Sequence, residues 1–250
     1  MITDKYSMSQ KFNIFYAKRN IVDSIYSEAK LEGISVTFPD TMTIVNGYGV
    51  AGMPLDDLDK IKNLRDSWKF IFETINYPID LRYIKQINRE VGKGIIPNEG
   101  AVRTTEVRIG GTKWTPDIPN ENQISKYIHD LMSSDQSVTE KAITLMLYLM
   151  RAQTFIDGNK RTAQIAANQV MIQNGKGIIT IPEEEQPKFF EMLIQYYETN
   201  NMSSIKKFVY DVCVQGIKEP PVEEETIDKS IFYEKQYQPK KEKDTNDYER

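Results

Sequence analysis

An apolar helical run ending near Ala152 and a second helix beginning near Asn159 are joined by Phe155-Ile156-Asp157-Gly158-Asn159-Lys160-Arg161. A helix start leaves backbone N–H groups without intrahelical partners, and the macrodipole adds partial positive charge there. Phosphate is the natural ligand of such an end. Gly158 lets the backbone approach a ligand without a Cβ in the way, and Asn159 is suited to capping and orienting the turn. Lys160 and Arg161 add formal charge, and a guanidinium can grip phosphate oxygens in pairs. Asp157 is the kind of hard oxygen ligand that magnesium takes beside phosphates. An anion nest, a carboxylate and an Arg together can stabilise charge in phosphoryl or nucleotidyl transfer. Spacing alone leaves a second reading open: a plain capped Asp-Gly-Asn turn with solvated Lys and Arg.

The elements that must hold this loop are mostly helical. Ile14, Ala17, Ile21 and Ile25 fall at helical spacing, as do Leu58, Ile61, Leu64, Trp68 and Ile71, and both sets predict core-facing stripes. Asn46-Gly47-Tyr48-Gly49 reads as a turn. A short amphipathic helix is predicted over 81–91, then a loop to Gly100. Further helices are predicted over 121–132, 138–152, 159–174, 184–199 and 203–214. Ser137-Val-Thr-Glu140 has the pattern of a capping box, and Gly175 supplies a left-handed helix stop. Residues 102–114 carry β-branched side chains around Gly110-Gly111 and predict a hairpin closed off by Pro116 and Pro119.

Composition excludes several functions. The 250 residues have a formal net charge of −4, which argues against sequence-independent nucleic-acid binding. The single Cys213 allows no internal disulfide or multi-cysteine zinc site, and His129 is the sole imidazole. No run approaches the roughly 20 apolar residues of a membrane span, and the start lacks a secretory apolar core. A cytoplasmic protein is expected, with no membrane or nucleic-acid partner. Three zones follow from composition: an amino-terminal helical region (1–78), a core domain (79–216) and a charged tail (217–250). The tail's mixed charge predicts disorder, with Ile231-Phe232-Tyr233 as a candidate docking segment.

The loop resembles the Fic/Doc family motif His-x-Phe-x-Asp/Glu-Gly-Asn-Gly-Arg-x-x-Arg through Phe155, Asp157, Gly158, Asn159 and Arg161. Lys160-Arg161-Thr162-Ala163 is similar to the Doc-like branch. Gly100-Ala-Val-Arg103, then Val107-Arg-Ile-Gly-Gly111 and Pro116, resemble the family's Gly-x-x-Arg segment and β-hairpin flap. Leu31-Glu32-Gly33 with Val36-Thr37, Gly47 and Gly52 resembles the region that carries an inhibitory helix. The resemblance runs from about Ile14 to Phe208. It implies a mainly α Fic-type helical bundle with a small β-hairpin flap. It also implies ATP or another nucleoside triphosphate with Mg2+ on Asp157, and phosphates on Gly158, Asn159, Lys160, Arg161 and Gln164. The flap residues Val107, Arg108, Ile109 and Gly110 would clamp a protein substrate or partner by strand addition. Oligomeric state is left open, a homodimer included.

Three positions depart from the motif. The catalytic His position holds Gln153, whose amide can hydrogen-bond a hydroxyl but cannot take its proton. Loss of a positioned base costs on the order of 10² to 10⁴ in rate. His129 would substitute only if the fold brought it to the loop. The second Arg is Gln164, so Glu32, the inhibitory position, is expected to lack its ion-pair partner and to read equally as a solvated helix-end carboxylate. The usual Ser/Thr four residues before Glu32 is Glu28. Lys160 stands in place of the second Gly, and the Doc-like resemblance implies a preference for phosphate transfer over AMP transfer. Gln153, Asp157, Asn159 and Arg161 are therefore the candidate catalytic set. Two functions are expected from it: an impaired transferase moving AMP or phosphate to a Ser, Thr or Tyr hydroxyl, or an inactive nucleotide- and partner-binding module.

Overall fold

Residues 159–173 form the helix on which the bundle is built, and its sequence shows why. In the computed structural model, which describes residues 2–220, every residue from Arg161 to Ile172 on this helix is buried. Its apolar and small residues from Ala163 to Ile172 face the neighbouring helices, and the buried amides of Asn168 and Gln169 bond the backbone of Ile179, Ile75 and Tyr77. In chain order the helices are α1 (Gln10–Arg19), α2 (Ile21–Leu31), α3 (Phe38–Val45), α4 (Leu55–Glu73) and α5 (Leu81–Gly92). Then come α6 (Glu121–Ser133), α7 (Val138–Ala152), the central α8 (Asn159–Gln173), α9 (Gln186–Thr199) and α10 (Ser203–Phe208). α7 lies antiparallel along α8, and α1, α4 and α5 close its other sides, while α2 and α3 pack on α4.

One hydrophobic core runs through both halves of the sequence, from Ile25, Trp68 and Ile71 to Ile84, Met146 and Ile165. The composition boundary at residue 78 falls between α4 and α5, and the core is shared across it. The tail from residue 221 onward, with its 231–233 segment, lies outside the described residues. No helix among the described residues is long and apolar enough to cross a membrane.

Several local expectations need correction. The stripe from Ile14 to Ile25 spans two helices, α1 and α2, which break at Asn20. Ser137 does cap α7 by accepting the Glu140 amide at 3.1 Å. Glu140 does not return the bond: its carboxylate accepts from the Ile2 amide (3.1 Å) and Lys206 (3.2 Å), tying the amino terminus and α10 to α7. The last helix stops at Phe208, followed by a π-turn over Val209–Cys213 and a strand, Val214–Gln215. That strand, β2, pairs antiparallel with β1 (Ile178–Ile179), so the β-branched pair Ile179 and Val214 lie opposite each other.

The mainly α class with a small antiparallel β element stands, but the regular pairing is β1–β2. Residues 102–114 turn at Gly110-Gly111 as expected, with Gly111 at φ +82, yet the two arms form no ladder. Side chains hold them instead. Arg103, 4% exposed, donates to the carbonyls of Thr105 (2.7 Å), Asp117 (2.6 Å) and Gln153 (2.6 Å).

Close backbone approach occurs where the amino-terminal segment meets the β1–β2 corner. Met8 donates its amide to Gly175 O at 2.8 Å, and the Tyr6 ring lies against Gly177 and Gly216. Gly177 has φ +90, and a Cβ there would fall 2.1 Å from Gln215 O. Gly177→Ala is expected to destabilise by on the order of 2 kcal/mol or more, from positive φ and backbone overlap together. Gly110→Ala, in open space, is expected to leave the melting temperature unchanged. Parallel thermal melts of the two variants check this.

Candidate functional site

The turn between α7 and α8 is shaped by its own polar side chains. Gln153 ends α7 in the left-handed region (φ 46), and its amide Nε2 donates to Met150 O at 2.6 Å. Asn159 clamps the loop: its Oδ1 accepts the Phe155 amide (2.9 Å) and its Nδ2 donates to Phe155 O (2.8 Å) and Gln153 Oε1 (3.2 Å). Phe155, 2% exposed, anchors the turn in the core. Gly158 (φ 75) is the N-cap residue of α8, and no side chain caps this end, so its first amides stay open to a ligand. Asp157 Oδ1 accepts the Gly158 amide at 2.6 Å, while most of its side chain faces solvent.

A second layer fixes the loop from α5. Asn88, 1% exposed, donates to Asp157 O (3.1 Å) and Thr162 Oγ1 (3.0 Å), and accepts the Gly100 amide at 2.9 Å. One side chain thus joins the loop, the start of α8 and the entry to the flap. Sequence reasoning passed over Asn88, although a polar residue inside the apolar face Ile84, Ile87, Val91 was a usable signal.

A cavity of about 410 Å³ opens over this turn. Gln153, Asp157, Asn159 and Lys160 form its floor, with Ile156 at the mouth, and Glu32 reaches it from the end of α2. Val107, Arg108, Ile109 and Gly110 of the flap form one wall. The lining from α9, Phe190, Leu193, Ile194 and Tyr197, was not foreseen: its residues look like an ordinary core stripe. Gly158 and Arg161 lie beneath the floor, and Gln164, 1% exposed, is set back in the core with both amide atoms unpartnered. His129 is exposed on α6 and lines a separate surface pocket with Pro78 and Met132, so it is not brought to the loop.

The flap is anchored at its far end. Trp114 stacks on Tyr197 (5.4 Å between centroids), the Arg151 guanidinium lies 4.5 Å over the Trp114 ring, and Thr112 donates to Glu198 at 2.9 Å. Arg151 also donates to Tyr197 O. Burial pushes the Tyr197 hydroxyl far above its ordinary pKa, and a polar contact from Gln153 works against that shift. Tyr197 is therefore a neutral donor or acceptor at the cavity wall.

Glu32 is not left without a partner, contrary to expectation. Its carboxylate lies 3.5 Å from Lys160 Nζ and 3.5 Å from Arg161 Nε, so it meets both cations of the loop instead of the position of Gln164. Arg161 is 2% exposed, with Nη2 3.6 Å from Asp157 Oδ2, and its Nε and Nη1 have no hydrogen-bond partner. One turn earlier, Glu28 is buried and accepts from the Trp68 indole at 3.2 Å. Burial lifts the Glu28 carboxyl to about 8, while Trp68 and Arg161 pull it down and Glu32 adds to the rise.

Residues 78–171, which contain Asn88, the flap and the whole loop, match the model of the Fic/DOC family. The chain carries a Fic/DOC-family domain. It is 25% identical over 194 residues to the protein adenylyltransferase Fic of Drosophila yakuba and 24% identical over the same length to that of Drosophila melanogaster. Each alignment covers 74% of this chain but 38% of the relative, so the chain spans about two-fifths of the length of these proteins. In fold it is similar to Fic-1 (residues 134–508) of C. elegans, with a TM-score of 0.68, 20% identity, and coverage of 79% of this chain and 62% of that one. It is also similar to a Fic domain containing signaling protein from Bacteroides thetaiotaomicron, at a TM-score of 0.65 and 18% identity, covering 78% and 81%.

The neutral Glu28 behind the Fic loop has a measurable consequence. Between its ordinary value of 4.5 and about 8 the folded chain holds a proton that the unfolded chain releases, so this group makes stability fall as pH rises. The penalty is absent below pH 4 and complete above the folded value. Glu28→Gln is expected to melt higher than the natural chain by roughly 5 °C or more at pH 9, with the difference vanishing at pH 4. Melting curves across that range check it.

Proposed function

We propose that the chain is a Fic-type transferase. It would bind ATP or another nucleoside triphosphate and move AMP or phosphate to a Ser, Thr or Tyr hydroxyl of a protein held by the flap. The observation that carries this reading is the single cavity in which the α8 end, Lys160, Asp157, Gln153 and the flap meet. Its volume and mixed lining suit a nucleotide: apolar Phe190, Leu193 and Ile109 together with the cations Lys160 and Arg108. Lys160 and the α8 amides would hold phosphates, with the buried Arg161 behind them adding positive charge. Asp157 fits magnesium, because most of its side chain faces solvent and the ion commonly takes one or two protein carboxylates plus phosphate oxygens. Magnesium there would neutralise charge on the phosphates.

The acceptor oxygen attacks phosphorus and its O–H proton must leave. Attack at the α-phosphate expels pyrophosphate, and attack at the γ-phosphate expels the nucleoside diphosphate. Gln153 cannot take the proton, and its amide is already bonded to Met150 O and Asn159. The proton therefore goes to the phosphate, to solvent or to a base on the partner, and turnover is slow. The Doc-like resemblance at Lys160 favours γ-transfer. Glu32, held between Lys160 and Arg161, occupies the place of an incoming phosphate, and is read as an inhibitory group that must be displaced.

Incubation with candidate protein substrates and ATP labelled at the α- or γ-phosphate tests the reaction. The natural chain is expected to transfer γ-label weakly, and Gln153→His to raise transfer by on the order of 10² or more. Label appearing only with the variant would mean that the natural chain is a binding module. Glu32→Ala is expected to tighten ATP binding roughly tenfold by freeing both cations. A melting temperature unmoved by ATP and magnesium would remove the nucleotide site altogether, since a ligand of the folded state must stabilise it.

A further inference from the structure

The flap stands over the cavity without a strand ladder to hold it there. Among the described residues, no backbone hydrogen bond joins the two arms of 104–116. At the root, Arg103 grips the carbonyls of Thr105 and Asp117. Between those points, the hydrogen bonds and ring contacts to the bundle among the described residues all come from Thr112 and Trp114. Trp114 stacks on Tyr197 of α9, with centroids 5.4 Å apart and planes at 29°. Thr112 donates to Glu198 at 2.9 Å and accepts the Trp114 amide at 3.1 Å, which folds this arm onto α9. Arg151 of α7 lies 4.5 Å over the Trp114 ring and donates to Tyr197 O at 3.2 and 3.1 Å. The ring, the guanidinium and α9 thus form one unit, and Arg151 sits two residues before Gln153 at the end of α7.

We propose that Trp114 is a positioning residue: clamped on Tyr197 and Arg151, it holds Val107 to Gly110 over the floor, so that an acceptor chain laid on the flap meets the nucleotide at a fixed place. This rests on the transferase reading above. A stacked aromatic pair and a cation over a ring each add stabilisation beyond buried area, so removing the indole raises the open population of the flap roughly tenfold or more. In Trp114→Ala the ordered flap becomes the minor state, and an acceptor that binds only the ordered flap loses affinity by the factor of its depopulation. The nucleotide side is spared. Trp114 does not line the cavity, and Asp157, Asn159 and Lys160 at the floor are held by the turn itself. Tyr197 loses its stacking partner but remains buried, with its carbonyl still held by Arg151.

The test is limited trypsin digestion of the full chain, read by mass spectrometry below the melting temperature, for the natural protein, Trp114→Ala and Trp114→Phe. Arg108, exposed on the flap, is the reporter. Cleavage after Arg108 is expected to speed up roughly tenfold in Trp114→Ala and to stay within about threefold of the natural rate in Trp114→Phe, which keeps a ring on Tyr197. Calorimetric affinity for magnesium-ATP is expected to stay within about twofold in both variants. Transfer is then measured in the Gln153→His background, with labelled ATP and a pool of Ser-, Thr- and Tyr-containing peptides as acceptor. Trp114→Ala is expected to raise the apparent KM for the peptides roughly tenfold, and Trp114→Phe to restore it. Unchanged cleavage after Arg108 in Trp114→Ala overturns the clamp. Equal losses of peptide and ATP affinity overturn the positioning role, since they mark a ring needed only for stability. Absence of transfer from every protein overturns the transferase reading and Trp114's part in it, whereas unchanged cleavage alone leaves that reading standing.

Discussion

A guanidinium withdrawn almost wholly from water sets the terms for the rest of this molecule. Arg161 cannot shed its charge, and an uncompensated cation in a protein interior is expensive. The structure answers with carboxylates from two directions: Asp157 from the same turn and Glu32 from the end of α2. Neither comes within hydrogen-bonding geometry, so compensation is electrostatic and incomplete. Glu32 thus adds an electrostatic contact to the apolar packing of α2 on the bundle. Without α2 at this place, Lys160 and Arg161 would face each other with Asp157 as their nearby carboxylate.

The loop itself is stiff for a different reason. Asn159 makes three bonds within a seven-residue turn, and Asn88 makes three more from another helix. Amide side chains suit this work because they donate and accept at once without bringing charge to a place already crowded with it. Arg103 does the corresponding work for the flap, replacing a strand ladder with three carbonyl contacts. The flap is thereby fixed at its root and, through Trp114, at its foot, while Val107 to Gly110 between them remain unpaired.

What could be read from sequence was whatever acts through neighbours in the chain. The Asp157–Arg161 turn, the extents of α7 and α8 and the stop at Gly175 depend on local geometry, and residue type reveals them. Contacts formed by helices far apart in sequence were invisible. The α9 lining is made of Phe190, Leu193 and Ile194, which have the spacing of any core stripe; only the flap at the same cavity turns them into part of a site. Glu32 was placed at the site by resemblance, yet its partners were misassigned, because Gln164 points into the core and Lys160 supplies a cation where the motif has glycine. The end of the last helix was misread since Val214 pairs with Ile179, a contact between residues 35 apart that outweighs local helical preference.

The junction at the β1–β2 corner bears on how the molecule comes into being. The segment from Ile2 to Met8 leans on Gly175, Gly177 and Gly216, and the Ser9 hydroxyl donates to Glu219 at 2.7 Å. Residues 2–8 therefore find their resting place only when the far later residues 175–216 have been made. α1 through α8 can form and collapse during synthesis, but the seam waits for residue 216. Until then a nascent chain exposes the apolar edge around Ile178 and Ile179, and that interval is when a chaperone would matter most.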